Sequence, residues 1–95
     1  MTGMTRSGDR RDARRRKLLF RSWHRGTREM DLILGEFADR AIDRLTDAEL
    51  DEYEAVIELE DTDLLAWIIG EKPVPPIHDT AMFRKIIASR VAVSF

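Results

Sequence analysis

At 95 residues, with 43% hydrophobic and 36% charged residues, this chain has enough apolar material for one helical core and no room for a second. It contains no cysteine, which excludes disulfides and thiolate chemistry, and no apolar run approaches the roughly 18 residues that cross a bilayer. The net charge of −2 conceals an asymmetry, because residues 1–28 carry nine Arg and one Lys against two Asp, whereas residues 29–64 carry fourteen acidic residues against two Arg.

The N-terminal quarter predicts a lead-in and one basic helix. Residues 1–8 have no hydrophobic periodicity, and we expect them to be disordered. Residues 9–23 are compatible with a helix whose apolar contacts are Leu19, Phe20 and Trp23. Arg and Lys occupy most of its other positions, so the rest of this helix should be solvated or paired with acidic groups.

The second helix has the clearest pattern in the chain. Gly26 interrupts the first helix, and Thr27 is suited to be the N-cap of the second. Glu29 and Asp31 fall in its first turns, where negative charge interacts favourably with the helix dipole. Apolar residues then recur at intervals of three and four, which predicts one buried stripe: Met30, Ile33, Leu34, Phe37, Ala38, Ala41, Ile42 and Leu45.

Three further helices follow. Thr46 and Glu49 form a predicted capping box at the start of the third helix. The fourth is short and almost wholly apolar, begins near residues 61–63 and ends at Gly70. A connector with three prolines separates it from the last helix, since proline and the residue before it resist helix formation. Asp79 or Thr80 is suited to cap that last helix.

These elements predict an all-α fold, a compact five-helix bundle that forms a single domain. No segment alternates apolar and polar residues well enough to predict a strand. The domain should cover residues 9–92, with residues 93–95 as a tail. The fourth helix, being the most apolar, is expected to be the buried centre, with Trp67 in the core.

Patterns for catalysis and for metal binding are absent from the sequence. His24 and His78 are its two histidines, and neither has another histidine or a cysteine at ligand spacing. The acidic segment 47–63 follows helical periodicity and lacks the glycine and spacing of a calcium loop. No nucleophile elbow, phosphate-cradling loop or dinucleotide fingerprint occurs. We therefore predict no catalytic and no metal-binding residues, and an enzyme is the weakest functional class.

The basic run RRDARRRKLLFR, residues 10–21, has two interpretations. A basic helix can neutralise several phosphates, as nucleic-acid-binding proteins do. Base recognition would need a recognisable motif, however, and the acidic remainder of the chain would repel DNA. We expect these arginines to complement the chain's own acidic helices and predict no nucleic-acid partner. A nucleic-acid accessory protein remains the rival interpretation.

The stretch Arg25-Gly26-Thr27-Arg28-Glu29, called the RGTRE corner below, lies between the first two helices. A helix-ending glycine followed by an N-cap explains Gly26 and Thr27 without any function. It does not explain why two arginines and a glutamate gather beside them. Such groups on a rigid turn can make charge-assisted contacts with a partner, and Gly26 would let another backbone come close. A plain turn and a binding surface are both open at this point.

A family signature bears on that choice. Arg25, Gly26 and Glu29 match the motif R-G-x-x-E, and Arg28 and Asp31 complete its fuller form R-G-x-R-E-x-D. With these residues the chain resembles the succinate dehydrogenase assembly (flavinylation) factor family, the SdhE-type proteins.

Further matches follow in order along the chain. Residues 45–49 match a helix-starting L-[ST]-D-x-E pattern, and residues 61–67 match D-x-D-L-x-x-W. A proline-containing connector and a final helix complete a resemblance that covers roughly residues 14–90. The arginine-rich N-terminus and the tail after residue 90 match nothing in the family pattern.

The resemblance implies a five-helix bundle and a function. Proteins of this family bind the flavoprotein subunit of succinate dehydrogenase, or in some bacteria that of fumarate reductase. They promote covalent attachment of FAD to a histidine of that partner, which is thought to perform the attachment chemistry itself. They are assembly factors or chaperones rather than enzymes. Since the sequence has no flavin-binding fingerprint, we expect the chain to hold no cofactor of its own.

The predicted partner-binding residues are of three kinds: those carried over from the signature, those that orient the corner, and those that border it. In that order they are Arg25, Gly26 and Glu29; Arg28 and Asp31; and His24 and Trp23. We expect a monomer that docks transiently, in the bacterial cytoplasm and without membrane insertion. An antitoxin-like small protein-binding module is the alternative within the same functional class.

Overall fold

The computed structural model describes residues 12–90, and this part of the chain is helical without any strand. Its five α-helices are α1 Ala13–Trp23, α2 Arg28–Ala41, α3 Asp47–Ile57, α4 Asp61–Ile68 and α5 Ala81–Arg90. Short 3-10 turns, Ile42–Arg44 and Pro76–His78, follow α2 and precede α5. The predicted all-α five-helix bundle is thereby confirmed. The predicted lead-in at residues 1–8 and the tail at residues 93–95 lie outside the described residues.

The N-termini of the first two helices follow local capping signals. Asp12 is extended and accepts a hydrogen bond from the Arg15 backbone nitrogen, at 2.8 Å from its Oδ1. With Asp12 as its extended cap, α1 begins at Ala13, and residues 9–11 of the predicted helix lie outside the described residues. Thr27 caps α2 as predicted, its hydroxyl accepting from the Met30 nitrogen at 3.3 Å.

Helices α3 and α5 also begin where their caps predict. Thr46 and Glu49 form the expected capping box, with reciprocal bonds of 2.9 and 3.1 Å. Thr80, rather than Asp79, caps α5 by accepting from the Phe83 nitrogen at 3.1 Å. Gly70, with φ of +82°, follows α4 in the left-handed region that favours glycine.

The centre of the bundle is α2. Its predicted apolar stripe is buried, apart from half-buried Ala41, and it packs against α1, α4 and α5. From α3, the Tyr53 ring lies 5.5 Å from the Phe37 ring. The prediction that α4 is the buried centre is wrong, because this helix has only eight residues and fully buries only Leu64, Ala66 and Ile68. No helix among the described residues is long and apolar enough to cross a membrane.

The inward side of α1 differs from the predicted one. Leu18 and Ser22 are buried, Leu19 is half-buried, and Phe20 is 62% exposed, which corrects its assignment to the core. Residues 18 and 22 are one helical turn apart and face α2, so residue 20 points away. Trp23 packs over α2, where a Cβ added to Gly35 would lie 2.3 Å from its ring, so the close approach requires glycine there.

Ion pairs join the basic α1 to the acidic α3. Arg14 donates to Asp51 at 2.5 Å and to Glu54 at 2.9 Å, and Arg21 donates to Glu58 at 2.9 Å. These contacts confirm that arginines of the basic run complement the chain's own acidic helix.

Candidate functional site

The RGTRE corner forms the turn between α1 and α2. After α1 ends, the Arg25 backbone nitrogen donates to Asp31 Oδ1 at 2.5 Å. Asp31 belongs to the first turn of α2, so this bond fastens the turn to the helix that follows it. Together with the Thr27 cap, it fixes the path of the chain through the corner, and this supports the hypothesis that Asp31 orients it.

Arg25 points into the molecule. Its side chain is only 9% exposed and forms an ion pair with Asp61, with Nη2 and Nε at 2.7 and 2.8 Å from Oδ1. The same guanidinium donates to the Ile57 carbonyl at 2.7 Å and to the Leu59 carbonyl at 2.8 Å. These carbonyls lie at the end of α3, where backbone oxygens lack helical partners. Arg25 is therefore engaged inside the protein and joins α1, α3 and α4.

Gly26 is exposed and bound to the same carboxylate. Its backbone N–H donates to Asp61 Oδ2 at 2.6 Å, while Arg25 occupies Oδ1. Asp61 is the first residue of α4, so its carboxylate also lies beside the positive end of that helix. One acidic side chain from α4 thus binds two consecutive residues of the corner.

Arg28 and Glu29 are the outward-facing charges of the corner. Both are exposed, and within residues 12–90 neither side chain has a hydrogen-bond or ion-pair partner. They occupy the first two positions of α2, directly after the Thr27 cap. Because the helix start is fixed, the Arg28 guanidinium and the Glu29 carboxylate are held at a defined place and can still form hydrogen bonds and ion pairs with a partner. This arrangement suits charge-assisted recognition of another macromolecule.

The two predicted bordering residues lie on different sides of the corner. His24 is exposed; its ring stacks on that of Phe20, with centroids 3.8 Å apart, and its Nδ1 donates to the Phe20 carbonyl at 2.7 Å. Trp23 is half-buried, and its Nε1 donates to Asp39 at 3.2 Å. Since Trp23 also covers Gly35, two turns beyond Arg28, it supports the packing of α1 on α2.

Beside the corner runs an open groove of about 460 Å³. Its lining comes from the corner and from the turn between α3 and α4: Arg25, Gly26, Thr27, Glu58, Leu59, Glu60, Asp61 and Thr62. Among the described residues, no cluster of His, Asp and Glu is arranged to hold a metal ion. The groove and the RGTRE corner are suited to recognise a partner through hydrogen bonds and charge.

Sequence reasoning missed the role of Asp61. The D-x-D-L-x-x-W pattern included this residue, but only as the start of a helix and as part of a resemblance. Its contacts with Arg25 and Gly26 span about 35 positions of sequence, and no local pattern reports such a pairing. One signal was available in the sequence. The R-G motif carries a positive side chain and the D-x-D motif carries negative ones, so the two motifs could pair.

Comparison with known proteins gives consistent matches over the same part of the chain. A family model described as the flavinator of succinate dehydrogenase matches residues 16–90. The FAD assembly factor SdhE of Acetobacter pasteurianus is 40% identical over 75 residues, which cover 79% of this chain and 69% of that protein. The factor of the same name from Vibrio cholerae is 34% identical over 68 residues, covering 72% of this chain and 79% of that protein.

Eukaryotic relatives match as well. The mitochondrial succinate dehydrogenase assembly factor 2 of Meyerozyma guilliermondii is 35% identical over 74 residues, which cover 78% of this chain. The match spans 55% of that protein, so the chain corresponds to about half the length of this mitochondrial relative. No solved structure matches the chain.

Proposed function

This chain belongs to the family of flavinators of succinate dehydrogenase, and we propose that it binds the flavoprotein subunit of that enzyme and promotes attachment of its FAD. The single observation that carries the proposal is the exposed Arg28–Glu29 pair, fixed at the start of α2 and without partners among the described residues. The relatives are named as assembly factors, and the role proposed for this chain is likewise that of an assembly factor rather than an enzyme.

In the proposed mechanism the chain acts by differential binding. A partner that exchanges between several conformations shifts toward the one that the factor binds most tightly. The factor would favour the form in which a histidine of the flavoprotein lies against the flavin, and the partner itself would form the covalent bond. The factor binds the mature, flavinylated form less tightly than the attachment-competent form. This lower binding free energy allows the factor to dissociate once the flavin is attached.

The residues of the corner take distinct roles in this proposal. Arg28 and Glu29 contact the partner, and His24 borders the contact. Arg25 and Asp31 form the scaffold, which agrees with their internal hydrogen bonds. Trp23 supports the scaffold from the α1–α2 interface, consistent with its bond to Asp39.

We extend the proposal to the partner's identity and the protein's own state. The flavoprotein subunit of fumarate reductase is the second substrate, the chain acts as a monomer, and it holds no flavin of its own. The bacterial cytoplasm is the proposed compartment, a choice supported by the two bacterial relatives named as FAD assembly factors. A purified chain with the mass of a monomer, 11.0 kDa, and no flavin absorbance is the expected result.

The test is covalent flavin on the partner. The flavoprotein subunit would be denatured and its in-gel flavin fluorescence compared in cells with this gene, without it, and with Glu29→Ala. We expect the fluorescence to fall without the gene and to stay low with Glu29→Ala. Glu52→Ala is the matched control, since Glu52 is also exposed and without a partner among the described residues, but lies on α3. It should restore fluorescence fully.

Two results would contradict the proposal. Equal fluorescence in all strains would mean that the subunit acquires its flavin unaided. A Glu29→Ala protein that is unfolded would make Glu29 a structural residue, whereas a surface substitution of this kind normally changes stability by no more than about 0.5 kcal/mol.

A further inference from the structure

We propose that position 26 requires glycine because the Asp61 carboxylate occupies the space of a side chain, and that this contact positions Arg28 and Glu29 for the partner. The set of Arg25, Gly26 and Asp61 is called the Asp61 clamp below. The inference deepens the proposed function and takes from it only the identity of the partner; the contact between Gly26 and Asp61 does not depend on it. It differs from the sequence-based hypothesis, in which Gly26 leaves room for a backbone of the partner.

Backbone conformation does not explain the glycine. Among the described residues, Gly70 is the glycine with a positive φ, so Gly26 has a conformation open to other residues. Space explains it instead. A Cβ built on Gly26 would lie 2.8 Å from Asp61 Oδ2, closer than real Cβ contacts. Apart from the adjacent residues in the chain, Asp61 is the residue with atoms within 4 Å of that Cβ. An alanine therefore fits only if the Asp61 carboxylate moves.

Asp61 is not free to move. Its Oδ1 accepts from Arg25, and its Oδ2 accepts from the Gly26 N–H at 2.6 Å. The guanidinium that holds it is itself fixed by the Ile57 and Leu59 carbonyls. The side chains of Arg25 and Asp61 are only 9% and 19% exposed, so solvent does not readily replace these bonds. Displacing the carboxylate would leave a nearly buried arginine without its counter-charge.

The clamp transmits its geometry to the binding surface over a short path. Asp61 fixes Gly26, and Gly26 precedes the Thr27 cap that begins α2. Arg28 and Glu29 are the next two residues. A shift of the turn would therefore rotate or fray the first turn of α2 and move both outward charges. In this assignment Asp61 and Gly26 are positioning residues that do not touch the partner.

The experiment is a double-mutant cycle with Gly26→Ala, Asp61→Ala and the combined variant. Affinity for the purified flavoprotein subunit of succinate dehydrogenase and the urea midpoint would be measured for each. We expect Gly26→Ala alone to lower affinity about tenfold, as for one lost charge-assisted contact. In the Asp61→Ala background the same change should cost less than about twofold, because the carboxylate it would strike is gone.

A matched cycle controls for general destabilisation. Glu58→Gln alters another carboxylate near the end of α3, one that binds Arg21 at 2.9 Å and not the corner. Gly26→Ala and Glu58→Gln should be additive in affinity and in urea midpoint. Equal costs of Gly26→Ala in the native and Asp61→Ala backgrounds would overturn the inference and favour a glycine that faces the partner.

A spectroscopic measurement can test whether the Gly26 N–H binds the Asp61 carboxylate, even if Asp61→Ala does not fold. The Gly26 amide of the wild-type chain should exchange slowly with solvent and show the downfield proton shift of a bond to a carboxylate, and Asp61→Asn should remove that shift. An amide that exchanges as fast as an open turn would refute the clamp.

The failure of the proposed function is separable from the failure of the clamp. If the wild-type chain does not bind the subunit, the proposed function fails, while the urea cycle and the Gly26 amide still decide the contact. If Gly26→Ala binds the subunit as tightly as the wild type, the positioning role is wrong whatever the amide shows.

Discussion

Folding alters the ionisation of Tyr53. It is the single tyrosine of the chain, fully buried, with its hydroxyl 2.6 Å from Ser22 Oγ and donating to the Leu34 carbonyl at 3.3 Å. Burial raises its pKa from 10.0 to about 12, and the hydrogen bond with Ser22 only partly offsets this. The folded state therefore binds the phenolic proton more tightly than the unfolded state does.

This difference predicts a loss of stability in alkali. The contribution of Tyr53 is fully present below pH 10 and is lost as the pH rises toward about 12, because the unfolded chain releases the proton first. The free energy of unfolding should fall by up to about 3 kcal/mol over that range. Urea unfolding at several alkaline pH values would measure it. Tyr53→Phe should lack this component, and identical pH profiles for both proteins would disprove the prediction.

Single residues also show where sequence reasoning reached its limit. Glu29 and Arg28 were identified as corner residues and proved to be exposed, because the first turn of a capped helix has a predictable geometry. The direction of Arg25 was not predictable, since an arginine after a helix end can reach solvent or the interior equally well. Its inward direction depends on Ile57, Leu59 and Asp61, which lie more than 30 positions away.

At the scale of elements, an aromatic side chain of α4 packs against α5. Trp67 is half-buried, with its ring 6.3 Å from that of Phe83 in an edge-to-face arrangement and 5.3 Å from that of His78. Trp67 therefore packs against the core, as expected, while remaining partly exposed. Its ring nevertheless covers the start of α5 and the 3-10 turn before it.

Truncation of this ring should loosen α5 from α4. We expect Trp67→Ala to lower the free energy of unfolding by about 3 kcal/mol, the low end for large aromatic residues, because Trp67 remains partly exposed. Ile69→Ala is the control, since Ile69 follows the same helix and is 44% exposed. It should change stability by less than about 1 kcal/mol. Equal effects of the two substitutions in denaturant titrations would show that the ring packing contributes little.

At the scale of the molecule, ion pairs among the described residues satisfy part of the charge asymmetry of the sequence. Arg14 and Arg21 bind acidic residues of α3, and Arg15 donates to the Ile42 carbonyl at 2.9 Å and to the Leu45 carbonyl at 2.5 Å. The hydrogen bonds that Arg14 donates to the Asp51 and Glu54 carboxylates raise its pKa. These arginines are therefore occupied, which weakens the rival interpretation of a phosphate-binding helix.

Salt should test how far these charges stabilise the whole fold. The α1–α3 pairs are solvent-exposed, and each such pair contributes between about 0 and 1 kcal/mol. Raising potassium chloride from about 0.1 M to 1 M, which shortens the screening length from about 10 Å to 3 Å, should lower stability by less than about 1 kcal/mol. Thermal unfolding would measure the change. A much larger loss would mean that electrostatic attraction, and not the apolar core, dominates stability.

Local sequence patterns were sufficient to predict the five helices, most of their caps and the apolar face of α2. These features depend on residues three or four positions apart, so a short segment of sequence is enough to predict them. Three other features depend on long-range packing: α2 is the centre, Phe20 faces outward, and Asp61 fills the space beside Gly26. Each of these features depends on which surfaces of distant segments pack together. The stability of that packing is spread over many long-range contacts, and no short sequence pattern encodes them.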